Sequence, residues 1–382
     1  MSKEVKKIIL FAIPDFRGGG AERVFLNLIN NLNRDKFIVH VAVGKLQGEY
    51  CKYLSNDITI HKLGSTHSIE SVIPMIKLVR NIKPNVVFAT LGYVVTISIS
   101  SLFFSKKIKI VSRFGNTISA FLGDIKKESR IKYFFQFLLN KLVINLSDVV
   151  VVQSGHMRDD LIQTFSLSSK IVIKIIKINN PVDINNLYNN INALSLSSDV
   201  QEFIDSKQYI FVSVGRLSNQ KNYKDLIRAF SIANQESNDI GLVILGEGEC
   251  RIKLEELVCK FEMQKNILMP GFIDNPELVL SRTDCFVSSS LYEGMSNAML
   301  EALSLGVPII ATNCPSGIRE IVIDGINGFL VDIDQNFVKN LSGLILAMPT
   351  ESHKIDSNEI RKSIKRSFDI KKITREYEEI FW

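Results

Sequence analysis

The sequence lacks the cysteine spacing of a disulfide-stabilised or zinc-binding protein. Its five cysteines include no CxxC pair, which is typical of free thiols in a reducing compartment. It also lacks a long apolar segment, because its longest uncharged apolar run covers only residues 91–104 and a membrane-spanning helix needs roughly 20 residues. The apolar stretch after the basic N-terminus is too short for a signal-peptide core. We therefore expect a cytoplasmic chain without a membrane-spanning helix.

The remaining composition is that of a globular protein with an uneven charge distribution. Of 382 residues, 46% are hydrophobic and 23% charged, and this length exceeds what one hydrophobic core usually serves. Residues 1–183 contain 26 Lys and Arg against 13 Asp and Glu, a net charge of +13, whereas residues 184–382 contain 20 against 27, a net charge of −7. The basic half favours an anionic partner, which would be a nucleic acid, a phospholipid surface or a phosphorylated substrate. An ordinary solvated surface is the alternative.

Short β-branched runs alternate with amphipathic helical stretches along the chain. We predict five strands in the first half, from KIILFAI to DVVVVQS, and six in the second, from YIFVSVGR to GFLV. This alternation predicts an α/β protein with parallel sheets covered on both faces. The pattern restarts after the Asn-rich segment INNPVDINN. The prediction is two Rossmann-like domains, at 1–183 and 184–365, and a C-terminal helix at 366–382 that packs back toward the N-terminal domain.

Two loops after predicted strands carry residues suited to anionic ligands. Gly18, Gly19 and Gly20 follow the first strand, and glycines permit both unusual backbone angles and the close approach of a substrate. A tight turn without a ligand is the alternative. Arg216 and Lys221 follow a strand of the second half, where two cations would neutralise a diphosphate and stabilise charge on a leaving phosphate. Their alternative is an ordinary solvated loop.

The segment SSSLYEGMSNAMLEALSLGVPIIAT, at 288–312, places two carboxylates around a predicted helix start. Glu293 lies in the loop before the helix, and Glu301 lies one turn inside it. Carboxylates accept hydrogen bonds from vicinal hydroxyls, and the free N–H groups of a helix start bind phosphate oxygens. The pattern fits a nucleotide sugar, with Glu301 on the ribose, the amides of residues 295–297 on the diphosphate and Glu293 on the sugar. An acidic helix start favoured by the helix dipole is the alternative.

With these motifs, the chain resembles the retaining glycosyltransferases of family 4, which have the GT-B fold of two Rossmann-like domains facing across a deep crevice. The resemblance rests on GGGAERV, NNPVD, VGRLSNQKN, LVILGEGECRIKLEEL, PGFIDN and the segment from SSSLYEGMSNAML to DGINGFLV, which follow the family order. It covers nearly the whole chain and is densest in the second domain. It is closest to bacterial enzymes that build O-antigens, capsules and lipid-linked glycans.

The resemblance implies a hexosyltransferase that uses a UDP-sugar, retains the anomeric configuration and needs no metal or other cofactor. It implies catalytic roles for Arg216 and Lys221 on the diphosphate and for Glu293 near the reacting centre of the sugar. The donor-binding residues that it implies are Glu301, Gly294, Met295, Ser296, Asn297, Gly271 and Phe272. It places Gly18, Gly19 and Gly20 on the acceptor side of the cleft.

One position departs from the family pattern. Many members carry a histidine near the donor sugar after the strand KIKIVSR, where this chain reads RFGN, from Arg113 to Asn116. Either Arg113 or Asn116 makes the contact, or the donor differs, or this is a plain loop. Asp332 and Asp334 match the Asp-x-Asp metal signature of another glycosyltransferase architecture, but the family has an exposed acidic turn here, and we expect no metal.

A basic stretch rich in aromatic residues, at 124–146, bears on the partner of the first half. It combines lysines and arginine with Phe134, Phe135 and Phe137. Such a helix either lies on an anionic membrane surface or packs its aromatic stripe into a core. Together with the charge of +13, it favours peripheral contact with the inner face of the cytoplasmic membrane and a lipid-linked saccharide acceptor. Nucleic acid is disfavoured because the sequence contains no recognition module.

Three functions are compatible with these motifs. The first is transfer of a hexose or N-acetylhexosamine to a lipid-diphosphate-linked saccharide in cell-surface polysaccharide synthesis. The second is a sugar-nucleotide epimerase or hydrolase of the same fold, which would turn over the donor without an acceptor. The third is a non-catalytic subunit that stabilises a partner, against which the intact set of candidate site residues argues.

Overall fold

The computed structural model describes residues 5–237 and 239–382, and the chain folds into two compact units. Unit 1 contains the residues up to Pro181 together with Ile370–Trp382, and unit 2 contains Val182–Asp369. The last helix therefore belongs to unit 1, although it follows unit 2 in the sequence.

Unit 1 is built on a seven-stranded parallel sheet. Its strands are β1 (Lys7–Ile13), β2 (Phe37–Val43), β3 (Thr59–Lys62), β4 (Val86–Thr90), β5 (Lys109–Arg113), β6 (Val149–Val152) and β7 (Ile175–Lys177). Its helices are α1 (Gly20–Asn31), α2 (Val72–Ile82), α3 (Tyr93–Ser101), α4 (Ile118–Glu128), α5 (Arg130–Leu146), α6 (Gly155–Phe165), α7 (Ser169–Val172) and, at the end of the chain, α16 (Ile370–Phe381). The order across the sheet is β3-β2-β1-β4-β5-β6-β7.

The two edge strands of this sheet differ from the sequence prediction. The central strands read as continuous apolar runs, such as VVFAT in β4 and VVVV in β6, whose residues are all buried, as expected for parallel strands covered on both faces. By contrast, β3 (TIHK) contains no fully buried residue and β7 has only three residues. The prediction of five strands was wrong because such edge strands need no apolar run.

Unit 2 contains a six-stranded parallel sheet, which confirms the predicted strand number. Its strands are β8 (Tyr209–Val214), β9 (Ile240–Leu245), β10 (Ile267–Gly271), β11 (Cys285–Ser288), β12 (Ile309–Thr312) and β13 (Gly328–Val331), in the order β10-β9-β8-β11-β12-β13. Its helices are α8 (Ile184–Ala193), α9 (Ser198–Asp205), α10 (Tyr223–Glu236), α11 (Arg251–Lys260), α12 (Glu277–Leu280), α13 (Asn297–Ser304), α14 (Phe337–Glu351) and α15 (Ser357–Phe368).

Each sheet has one point where the strand order reverses, between β1 and β4 in unit 1 and between β8 and β11 in unit 2. In open parallel sheets, ligands bind outside the carboxyl ends of the strands at this switch point. The Gly18–Gly20 turn follows β1, the loop with Arg216 and Lys221 follows β8, and Glu293 follows β11. These candidate residues therefore lie on loops that flank the two switch points.

Candidate active site

Backbone hydrogen bonds and side chains join the loops after β8 and β11 in unit 2. The amide of Leu291 donates to the carbonyl of Gln220 at 2.8 Å, and the side-chain amide of Gln220 donates to the carbonyl of Tyr292 at 2.9 Å. The hydroxyl of Ser289 donates to the carbonyl of Lys221 at 2.8 Å. These contacts fix the relative position of two loops that are distant in sequence.

Lys221 and Glu293 form an ion pair at this junction. The ammonium of Lys221 donates to Oε1 of Glu293, and the hydroxyl of Ser290 donates to the same oxygen at 2.8 Å. The two charged side chains are only 19% and 10% exposed. Sequence reasoning assigned both charges to the donor site, but it did not predict their direct contact or the role of Ser290.

Burial and charge act in opposite directions on Lys221. Burial lowers the pKa of the ammonium, but the neighbouring acidic groups, with Glu293 the strongest of them, outweigh it, so the pKa is raised and the lysine is charged at neutral pH. Burial raises the pKa of Tyr223 to about 12, so the phenol is neutral. The site therefore contains the ion pair of Lys221 and Glu293 next to the neutral hydroxyl of Tyr223.

Glycines bring the backbones of the loops after β8, β9 and β10 close together. Gly246 has a φ of 137°, and an added Cβ would overlap the carbonyl oxygen of Gly215. Gly271 has a φ of 92°, and its carbonyl accepts from the amide of Gly246 at 2.8 Å. Sequence reasoning selected Gly271 and missed Gly215 and Gly246. The glycines directly after each strand, in VSVGR and VILGE, were the signal for them.

The start of α13 borders a narrow pocket, whose empty volume of about 160 Å³ includes space open to solvent. Its lining includes the predicted donor residues Glu293, Gly294, Met295 and Ser296. Ser296 is the N-cap residue of the eight-residue helix, so the N-terminus of α13, with the positive end of its dipole, lies beside this pocket. The placement of these residues agrees with the expected helix start.

The other predicted donor residues lie on the same edge of the unit 2 sheet. Glu301 is buried on α13 and Asn297, the first residue of that helix, is half-buried. Arg216 is exposed in the loop after β8, and Phe272 is exposed directly after β10. The exposed side chains at these two positions are accessible to a ligand. Their contacts with a donor remain predictions.

In unit 1, the glycine turn leads directly into α1. Gly18 has a φ of 104°, which an L-residue rarely adopts, and Gly19 is the N-cap residue. A Cβ added to Gly19 would overlap the Glu22 carboxylate, which is buried in the first turn. The start of α1 therefore already has a carboxylate of the same chain beside it, and Gly20 is the exposed residue of the turn.

Arg113 is more enclosed than a residue of a plain loop after a strand would be. It is the last residue of β5 and is only 2% exposed. Its guanidinium donates to Oδ1 of Asn180 at 2.6 Å. Burial lowers the pKa of Arg113, while Tyr377 and Glu22 partly offset this effect. Asn116 is half-buried in the loop that follows, so Asn116 is the more accessible of the two candidates.

The described residues include no group of three or more His, Cys, Asp or Glu side chains arranged to hold a metal ion. The Asp-x-Asp motif makes ordinary turn contacts. Asp332 accepts from the side-chain amide of Asn313 at 2.6 Å, and Asp334 accepts from the backbone amide of Asn336 at 2.8 Å.

Helix α5 has two apolar faces instead of one. Phe137 packs against Phe165 with ring centroids 4.8 Å apart, and Val143 and Ile144 are fully buried. On the other face, five large apolar side chains are exposed: Ile131 (71%), Phe134 (57%), Phe135 (61%), Leu138 (45%) and Leu142 (37%). Core packing therefore accounts for only one of the two stripes. Among the described residues, no helix is long and apolar enough to span a bilayer.

Comparison with known proteins assigns the chain to a family. The model for "Glycosyltransferase Family 4" matches residues 18–186, and the model for "Glycosyl transferases group 1" matches residues 196–359. The chain belongs to the family 4 glycosyltransferases. The two matches cover both units, and the expected two-domain GT-B fold is confirmed by solved structures. The Anabaena HepE structure in complex with UDP-glucose has a TM-score of 0.76 over 98% of this chain and 99% of that chain, at 18% identity.

Two curated relatives of this glycosyltransferase have names that state a substrate. A Campylobacter jejuni enzyme is 29% identical over 97% of this chain and 98% of its own length, and it is named N-acetylgalactosamine-N,N'-diacetylbacillosaminyl-diphospho-undecaprenol 4-alpha-N-acetylgalactosaminyltransferase. An Escherichia coli enzyme is 30% identical over 52% of both chains, and it is named UDP-Gal:alpha-D-GlcNAc-diphosphoundecaprenol alpha-1,3-galactosyltransferase.

Proposed function

We propose that this glycosyltransferase moves a hexose or N-acetylhexosamine from a UDP-sugar to a saccharide linked to a lipid diphosphate, with retention and without a metal, in cell-surface polysaccharide synthesis. The observation that carries the proposal is the junction of Lys221 and Glu293 at the switch point of unit 2, beside the start of α13. A cation, a carboxylate and a helix N-terminus together match the diphosphate and sugar of a nucleotide sugar.

Each group of the unit 2 site has a role in the proposed reaction. Lys221 and Arg216 neutralise the diphosphate, and they stabilise the charge that grows on it as the glycosidic bond breaks. Glu293 accepts hydrogen bonds from the sugar hydroxyls, and Glu301 accepts them from the ribose. The amides at the start of α13 donate to phosphate oxygens. Retention follows if the acceptor hydroxyl attacks from the side of the leaving diphosphate, which then takes its proton.

The proposed acceptor rests on the names of the relatives. Both the Campylobacter jejuni and the Escherichia coli enzyme are named for saccharides on diphosphoundecaprenol. A sugar on a lipid diphosphate presents anionic charge at a membrane surface, which suits the net charge of +13 on residues 1–183. We propose Gly20 and Asn116 as acceptor-side contacts in unit 1, because both are accessible.

Incubation of the purified protein with UDP-glucose, UDP-galactose and their N-acetylated forms tests the proposal. With an undecaprenyl-diphosphate-linked saccharide present, we expect release of UDP from one donor and a product heavier by one sugar in mass spectrometry. Addition of EDTA is expected to leave the rate unchanged, because no metal takes part. Sugar loss without acceptor would support the epimerase or hydrolase alternative, and no turnover with any donor would support the non-catalytic one.

We also propose that the exposed face of α5 holds the protein at the membrane. This face consists of Ile131, Phe134, Phe135, Leu138 and Leu142. The exposed cations around it are Lys126, Lys127, Arg130, Lys132 and Lys141. An apolar helix face surrounded by cations is typical of helices that lie in the headgroup region of anionic membranes. The expected site is the inner face of the cytoplasmic membrane.

Substitution of both phenylalanines by serine, Phe134→Ser with Phe135→Ser, is expected to lower partitioning onto phosphatidylglycerol vesicles about 10- to 100-fold, because each ring contributes roughly 1 kcal/mol or more. Flotation with vesicles measures the change. Ile252→Ser is the control, because Ile252 is also a large exposed apolar residue (71%) but lies on α11 of unit 2. Equal loss of binding in the control, or no loss in the double variant, would contradict a membrane role of α5.

A further inference from the structure

The ion pair between Lys221 and Glu293 raises a question about how the free site changes when a donor binds. In the proposed function, which this inference depends on, Lys221 contacts the diphosphate and Glu293 contacts the sugar. In the structure the two groups contact each other. Under these proposed roles, binding of a donor therefore gives each of the two charges a new partner.

The resting pair is a built feature of the fold. Ser289 holds the carbonyl of Lys221, and Ser290, the next residue, donates to the carboxylate of Glu293. The hydroxyl of Thr312, the last residue of β12, donates to the carbonyl of Ser290 at 2.6 Å. The pair is thus anchored to three neighbouring strands of the sheet, β8, β11 and β12, rather than formed by two long side chains on an open surface.

A diphosphate alone cannot replace both partners. An ammonium has three donors, so Lys221 can contact a phosphate and Glu293 together, but its single positive charge then serves two anions. If Lys221 turns fully to the phosphate, Glu293 stays as a largely buried carboxylate next to an anion, which is costly. The hydroxyls of a donor sugar remove this penalty, since they donate hydrogen bonds to the carboxylate.

We propose that the Lys221–Glu293 ion pair is a resting lock, a contact that occupies both charges while the site is empty. An intact nucleotide sugar opens this lock by giving both charges new partners, whereas free UDP opens it poorly. The lock makes the site prefer the donor over the nucleotide product, so that UDP leaves after transfer. Ser290 is a positioning residue in this scheme. It keeps Glu293 oriented toward the sugar while Lys221 changes its partner.

Calorimetric titration of UDP into the wild type and the Glu293→Gln variant tests the lock. Glutamine keeps the shape and the Ser290 contact but removes the charge that competes for Lys221. We expect Glu293→Gln to bind UDP about tenfold more tightly, as when roughly 1.4 kcal/mol of opposing interaction is removed, and to transfer sugar much more slowly. Glu256→Gln on α11 has the same charge change at an exposed position, and it is expected to match the wild type.

Two further measurements complete the test. A non-hydrolysable UDP-sugar analogue is expected to bind the wild type more tightly than UDP does. This measurement uses the wild type alone, so it does not depend on the folding of a variant. Ser290→Ala is expected to leave the Kd of UDP unchanged and to lower the kcat of transfer, because the ion pair remains but Glu293 loses the hydrogen bond from Ser290.

The outcomes separate the lock from the proposed function. Unchanged or weaker UDP binding by Glu293→Gln, or tighter binding of UDP than of the analogue by the wild type, would overturn the lock alone. Failure of the wild type and of every variant to bind UDP would overturn the proposed function and the lock with it.

Discussion

Replacement of Lys221 by alanine is expected to lower the kcat of sugar transfer by about 100- to 1,000-fold, the usual effect of removing one fixed group that stabilises developing charge. The loss is expected in kcat more than in KM, because the charge on the diphosphate grows as the glycosidic bond breaks. The fold should persist, since Lys221 lies in the loop after β8, outside the apolar core, but the melting temperature should fall, because the largely buried Glu293 carboxylate loses its cation. Steady-state kinetics and a thermal melt measure the two effects.

Lys224→Ala is the matched control for this change. Lys224 is exposed in the first turn of α10, so its loss changes the net charge equally without touching Glu293. Glu293→Ala is expected to reduce transfer to a similar degree. Because the two groups form one pair, the double variant should lose far less than the product of the single losses. Wild-type kcat in Lys221→Ala would remove Lys221 from the active site.

The central architecture follows from the sequence because buried parallel strands carry their own signal. Runs such as VVVV in β6 and IGLVIL in β9 are apolar throughout, and the helices between them have one apolar stripe. The edge strands β3 and β7 lack this signal, because only one neighbour pairs with them and their side chains are partly exposed. They become visible only when the sheet is assembled.

The site was predictable in its residues but not in its contacts. Lys221 and Glu293 were recognisable from the loops in which they lie, yet they are 72 positions apart, and their contact depends on β8 and β11 being neighbours. Arg113 shows the same limit. Tyr377, which α16 brings back from the end of the chain, acts on the buried guanidinium of Arg113, and the sequence around Arg113 does not predict this neighbour.

Helix α16 is the element whose removal is expected to have the largest effect on folding. Four of its buried side chains belong to the core of unit 1: Ile373, Tyr377, Ile380 and Phe381. The ring of Phe381 lies 5.4 Å from that of Phe88 on β4 and 6.2 Å from that of Phe11 on β1. Full burial of one such side chain contributes about 1.5–3 kcal/mol. The four together contribute roughly 6–12 kcal/mol, which is comparable to the whole stability of a typical domain, about 5–15 kcal/mol.

A chain that ends at Asp369 is therefore expected to lose the cooperative unfolding transition of unit 1 and to keep that of unit 2, whose core contains no residue of α16. Urea unfolding followed by circular dichroism measures both transitions. Phe381→Ala is expected to destabilise unit 1 by about 3–5 kcal/mol, the usual loss for a buried phenylalanine, while Trp382→Ala, at the neighbouring exposed position, should cost much less. An unchanged urea midpoint in the truncated chain would contradict this account, because the aromatic cluster around Phe88 would then be stable without the helix that covers it.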